Sequence, residues 1–120
     1  MLYHAKYIKE SLSYKDNINC FIESFYKGVA LNVDMSRAKF EDICKPVFDR
    51  ISKPLEDVLK HAGLQKSQID TVVTVGGSTR IPWVKKMLAN LFGKDVYDKL
   101  DKDLAVAQGA TILAREMYLR

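Results

Sequence analysis

Apolar positions change rhythm along this chain, and each rhythm predicts an element. Leu2, Ala5, Ile8 and Leu12 return every three or four residues, which predicts a helix over the first dozen positions. The polar stretch 13–17, "SYKDN", breaks it with turn-forming Ser, Asp and Asn. Ile18 to Tyr26 is rich in aromatic and β-branched residues and reads as a strand. After Lys27-Gly28, the apolar Val29, Leu31, Val33 and Met35 alternate with Ala30, Asn32 and Asp34. A strand-like run before a short glycine turn and a period of two after it predict a β-hairpin.

Helical spacing then resumes. Ser36 suits an N-cap, and Met35 and Phe40 stand at the spacing of a hydrophobic staple. Phe40, Ile43, Cys44, Val47, Ile51, Leu55, Val58, Leu59 and Ala62 continue the face to Gly63, a suitable C-terminal cap. Pro46 and Pro54 each remove a backbone donor, so kinks or consecutive short helices are expected. Thr71 to Val75 is a short run of Val and Thr bounded by Gly76, which predicts a buried strand. No parallel partner for it is evident in the pattern. Pro82 opens a helix whose apolar face is Trp83, Val84, Met87, Leu88 and Leu91, ending at Gly93. A last helix begins near Asp101 or Asp103 and is rich in small residues at Ala105, Ala107, Gly109 and Ala110.

Composition narrows the class. The chain has 120 residues, 48% of them hydrophobic, which suits a folded domain or part of one. Its net charge is +4, but the lysines are interleaved with acids and Lys85-Lys86 is the longest basic run. Nucleic-acid binding needs clustered charge and is not expected. No apolar run approaches the roughly 20 residues of a membrane span, and the N-terminus is not a secretory signal. A cytoplasmic location is expected, with the endoplasmic reticulum lumen as the alternative if Met1 is not the natural start. Cys20 and Cys44 have neither close spacing nor histidine neighbours, so small buried thiols are expected rather than a zinc site, with a disulfide left open.

The junction "VGGSTRIP", Val75 to Pro82, carries the candidate chemistry. Glycines after a strand allow a sharp turn and close approach of a ligand to the backbone. Ser78 and Thr79 add hydroxyls, and Arg80 adds a flat, fixed cation. The junction matches neither the dinucleotide fingerprint nor the P-loop. From the residues alone, a plain strand-to-helix turn and a ligand loop both remain open.

The wider pattern resembles the nucleotide-binding domain of the seventy-kilodalton heat-shock chaperones. "IDTVVTVGGSTRIPWVKKMLANLFGK" is similar to that family's strand, VGGSTRIP loop and helix with an FFGK-like end. "LAVAQGA", "KESLSY" and "SRAKFEDIC" resemble three further family segments at matching spacing. The resemblance implies an α/β fold, a fragment of an actin-like (ribonuclease-H-like) ATPase domain, with residues 1–120 forming part of its second lobe. Within it, 1–35 would be helix and hairpin, 36–63 a kinked helix, and 64–120 the strand, glycine loop and two helices. The implied role is the adenosine side of an ATP/ADP cleft. Gly76, Gly77, Ser78, Arg80 and Ile81 would surround the nucleotide, Asp103 would lie at the rim, and Lys9 and Ser13 would cover the other face of the base. Each of the last three has an ordinary reading as well: a helix cap for Asp103, a solvated charge for Lys9, a helix end for Ser13. The implied partners are nucleotide, nucleotide-exchange factors, J-domain co-chaperones and, through a separate domain, unfolded clients.

The chain also departs from the family. Lys6 and Glu10 stand where the family commonly has an acid and a base-stacking arginine, and their spacing allows them to pair with each other. Lys102 and Leu104 replace a Pro and a Glu. The family's phosphate loops, magnesium-binding acids and catalytic lysine match no segment here, so this chain by itself is not expected to hydrolyse ATP. The alternative expectation is a non-catalytic module that binds chaperone partners or exchange factors through the hairpin and the basic helix Trp83 to Phe92.

Overall fold

A computed structural model describes residues 2–119 of the chain. Among them are five helices and four strands: α1 (Leu2–Ser11), β1 (Asn17–Tyr26), β2 (Val29–Ser36), α2 (Arg37–Phe48), α3 (Ser52–Ala62), β3 (Val72–Val73), α4 (Pro82–Phe92), β4 (Val96–Tyr97) and α5 (Ala105–Tyr118). They group into two compact units, Met1–Val58 and Leu59–Arg120, with α3 running across the division.

In the first unit β1 and β2 form the expected antiparallel hairpin. Lys27 and Gly28 both have positive φ, 49° and 79°, as a two-residue turn matched to the strand twist requires. Ile18 faces Met35, Cys20 faces Val33 and Ile22 faces Leu31, so the period-two pattern puts these pairs on one covered face. Between Ile22 and Tyr26 the register slips, and Ser24 there has a φ of 47°. Beyond that bulge Tyr26 and Val29 are exposed.

Arg37 joins three parts of the unit. Its Nε donates to the Leu12 carbonyl at 2.8 Å and its Nη2 to the Lys15 carbonyl at 2.9 Å. Its Nη1 pairs with Asp16 at 2.7 Å. The core here is Leu12, Ile18, Cys20 and Phe48, with Phe40 edge-on to Phe48.

Ser36 caps α2, its Oγ accepting from the Lys39 N–H at 3.1 Å. Ser36→Ala is expected to cost about 1 kcal/mol, read as a lowered urea midpoint. The proline-interrupted face resolves as two helices. The break falls at residues 49–51, three positions past Pro46, and Pro54 sits in the first turn of α3, where its missing N–H has no intrahelical acceptor to lose. At the far end, Gly63 has a φ of 66°, its N–H reaches the Lys60 carbonyl, and the Leu64 N–H reaches the Leu59 carbonyl. Those paired bonds satisfy the last carbonyls of α3.

In the second unit the run Thr71 to Val75 does have a parallel partner, contrary to the reading of the pattern. Val72 pairs with Val96 and Val73 with Tyr97. The partner is two residues long, too short to show periodicity, and is reached only through the α4 crossover that parallel pairing demands. Val72 and Thr74 are buried while Val73 and Val75 are 47% and 42% exposed, so one face of the strand is covered. Leu59, Ile81, Val84, Leu88 and Val96 complete this core. α5 buries none of its described residues.

Both cysteines are free. Cys20 is buried, and partial burial raises the Cys44 thiol pKa.

Candidate functional site: the glycine loop

The loop begins where β3 runs out. Gly76 has φ 89° and ψ 148°, a region open to glycine and strained for other residues. Its N–H donates to the Lys102 carbonyl at 2.8 Å. Its own carbonyl accepts from the Thr79 N–H at 3.1 Å and from Thr79 Oγ1 at 2.7 Å. Thr79 therefore closes the turn from inside, while Ser78 is exposed. Residues 77–80 form one 3-10 turn, which ends at Ile81 and passes directly into α4.

Gly77 is a glycine for a different reason. Its φ is not positive, and a β-carbon there would meet only Arg80 Nη1 at 3.6 Å and Asp103 Oδ1 at 3.9 Å, ordinary contacts. Nothing within the described residues demands a bare backbone at that point.

Arg80 and Asp103 meet in a two-pronged ion pair, Nη1 to Oδ1 at 2.9 Å and Nη2 to Oδ2 at 2.7 Å. Both edge nitrogens point at one carboxylate, which fixes the plane of the guanidinium. The bond from Arg80 holds the Asp103 carboxyl below the usual carboxylate range. Asp103 does not cap α5. Asp101 closes the turn that precedes the helix, its Oδ1 accepting from the N–H groups of Asp103 and Leu104 at 2.9 and 3.2 Å, while Leu104 at the N-cap has no side-chain cap. The two acids that the sequence left interchangeable have separate tasks.

The structure thus brings Gly76, Gly77, Ser78, Arg80 and Asp103 together around one loop. Ile81 belongs there by its backbone alone: its side chain is buried, its N–H donates to the Ser78 carbonyl, and its carbonyl accepts from Val84. Lys9 and Ser13 lie in the first unit. Ser13 Oγ donates to the Lys9 carbonyl at 3.4 Å and closes the end of α1, with Lys9 half-buried. Lys6 and Glu10 pair at 3.7 Å on the exposed side of that helix.

One cluster was missed in the sequence. Lys102 Nζ donates to Thr74 Oγ1 at 3.0 Å and pairs with Asp98, which also pairs with Lys85 of α4. No local signal marked it, because residues 98–102 lie outside any helix and the four-residue spacing of Asp98 and Lys102 therefore predicts no contact. The hydrogen bonds from Lys102 and then Lys85 lower the Asp98 pKa to about 2.

A profile of the family described as "Hsp70 protein" matches residues 1–117. The chain belongs to the Hsp70 family. It is 41% identical over 107 residues to heat shock cognate 70 kDa protein 3 of Dictyostelium discoideum, covering 88% of this chain and 17% of that protein. It is 41% identical over 109 residues to the ribosome-associated molecular chaperone SSB of Candida glabrata, covering 90% of this chain and 18% of that one. The chain therefore spans less than a fifth of the length of these Hsp70 relatives. Its α/β structure is a fragment of the actin-like ATPase domain of the Hsp70 family. Magnesium is implied only for the complete Hsp70 ATPase domain. Among the described residues no group of three or more His, Cys, Asp or Glu could hold a metal ion. Nor is any described helix long and apolar enough to cross a membrane.

Acid should loosen the second unit in a defined window. Asp98 and Asp103 have folded pKa values below their unfolded ones, so their stabilising contribution is complete above about pH 4 and is lost as pH falls through the folded values. Carboxyl carbon shifts followed by NMR should show Asp98 titrating near pH 2, with stability of the unit declining between about pH 4 and 2.

Proposed function

We propose that this chain supplies the adenosine side of an ATP/ADP cleft in a chaperone ATPase. The observation that carries the reading is the pairing of a bare backbone at Gly77 with an adjacent guanidinium whose plane Asp103 fixes. A flat, oriented cation is a stacking surface for a base. A glycine beside it, with no steric or torsional need of its own, leaves room for the base and ribose to approach the backbone. Exposed Ser78 supplies a hydroxyl at the same edge. These residues bind and orient; none of them is a nucleophile or base for phosphoryl transfer. In the complete protein, ATP would shift the balance between lobe arrangements and so the affinity of a separate peptide-binding domain for unfolded clients.

Titration of the chain with ADP, followed by amide NMR, tests this. Shifts centred on Gly76, Gly77 and Arg80 are expected, with the amides of Lys9 and Ser13 read in the same spectra as the contribution implied for α1. No shift at any of them in millimolar ADP would remove the proposal.

A second reading rests on the hairpin. Phe21, Tyr26 and Val29 are 58%, 65% and 67% exposed. Such side chains fit contact with a protein partner, an exchange factor or J-domain co-chaperone in a protein of this family. Loss of partner capture on Tyr26→Ser with ADP shifts intact would separate this role from the first.

A further inference from the structure

The glycine loop is gripped on both sides by one short segment. Before the loop, Thr74 Oγ1 receives the Lys102 ammonium at 3.0 Å. After it, Lys85 on the second turn of α4 pairs with Asp98. Asp98 and Lys102 pair with each other, so the two grips form one chain of contacts: Thr74, Lys102, Asp98, Lys85. The middle of the loop is held from the same segment, by the Lys102 carbonyl on the Gly76 N–H and by Asp103 on Arg80.

The burial of these groups is uneven. Thr74 is 4% exposed and the Lys102 side chain 10%, whereas Asp98 and Lys85 are 37% and 46% exposed. A lysine so far buried needs its charge matched, and Asp98 with Thr74 does that. Lys102 also stands where the resembling family has proline. Proline stiffens such a connector by fixing φ. Lysine leaves the backbone free, so here the constraint has to come from the side chain.

We infer that Asp98 and Lys102 are positioning residues for the glycine loop: their linked contacts with Thr74 and Lys85 set the spacing of its two ends. The pair touches no ligand in this role. It acts through Thr74 at the end of β3 on Gly76, and through Lys85 on the first turns of α4, so that Arg80 and Gly77 are presented in one geometry. The functional side of this inference rests on the nucleotide reading above; the mechanical side does not.

Two measurements on the full chain keep them distinguishable. Amide hydrogen exchange is compared in wild type, Lys102→Met, Lys102→Arg and Asp98→Asn. Lys102→Met, which keeps the stem and removes the charge, should speed exchange about tenfold at Gly76 and Thr79, whose N–H groups are hydrogen-bonded in the loop, relative to Val72 and Val96. Lys102→Arg should restore most of the protection, and Asp98→Asn should give an acceleration that does not add to that of Lys102→Met in the double variant. Loop exchange within twofold of wild type in Lys102→Met and Asp98→Asn overturns the inference. So does acceleration in both variants that is equal at the loop and at the β3–β4 pair, since that is general loosening rather than positioning. ADP titration of the same samples is read separately. If wild type shows no ADP shifts but the exchange pattern holds, the nucleotide reading fails and the clamp stands. If wild type binds and the exchange pattern is absent, the clamp fails alone.

Discussion

Gly76→Ala is expected to destabilise the second unit by about 1–3 kcal/mol, because alanine is forced into a backbone region that excludes a β-carbon. Its φ of 89° and ψ of 148° are the cause, not crowding, since a β-carbon there would have nothing within 4 Å. The neighbouring Gly77→Ala should behave differently. Its φ is ordinary and its new methyl would make only ordinary contacts with Arg80 and Asp103. Stability should stay within about 1 kcal/mol of wild type, with reduced unfolded-chain entropy offsetting part of any strain. On the nucleotide reading, however, that methyl stands in the approach of the base and ribose, so ADP shifts should weaken in Gly77→Ala although the fold is kept. Urea unfolding and the titration, run on both variants, make the check. Equal stability losses at the two glycines would contradict the backbone argument. Unchanged ADP affinity in Gly77→Ala would count against the ligand role of the loop.

Leu12→Ala should cost the first unit about 2–5 kcal/mol, the range for a leucine lost from a packed core. Leu12 is 1% exposed, at the point where α1 hands over to the hairpin. Its carbonyl also receives Arg37 Nε, so a collapse around the cavity would disturb the bonds that Arg37 makes to Lys15 and Asp16. The total stability of a small domain is of the same order as this loss. Urea unfolding followed by circular dichroism should show a large drop in midpoint, and amide protection at Cys20 and Ile22 should fall with it. A shift of less than about 1 kcal/mol would mean that the site relaxes around the cavity far more than such cores usually do.

The hairpin was legible because alternation is a local property: each of Leu31, Val33 and Met35 declares its face without reference to distant residues. The Ser36 cap and the glycine turn were legible for the same reason, being set by side-chain chemistry within four positions. Placement of the helix break was less so. Two prolines marked the region, but residues 49–51, between them, carry the turn, because Pro54 is tolerated in a first helical turn. The β3–β4 pairing left no local trace. Val96 and Tyr97 are too few for a period, and their partners Val72 and Val73 lie 24 residues away across α4.

The candidate site divides along the same line. Gly76, Ser78 and Arg80 could be read from eight consecutive residues whose pattern matches the Hsp70 family, and the family itself follows from such patterns. Local order carries that much, since turn torsions, caps and face periodicity depend on near neighbours. The partner of each charge does not. That Asp103 holds Arg80 while Asp101 closes the turn before α5, and that Lys102 and Asp98 grip both ends of the loop, came only with the fold. The Arg80–Asp103 and Thr74–Lys102 contacts join residues 23 and 28 positions apart, and packing, not sequence spacing, chooses among chemically equivalent acids and lysines.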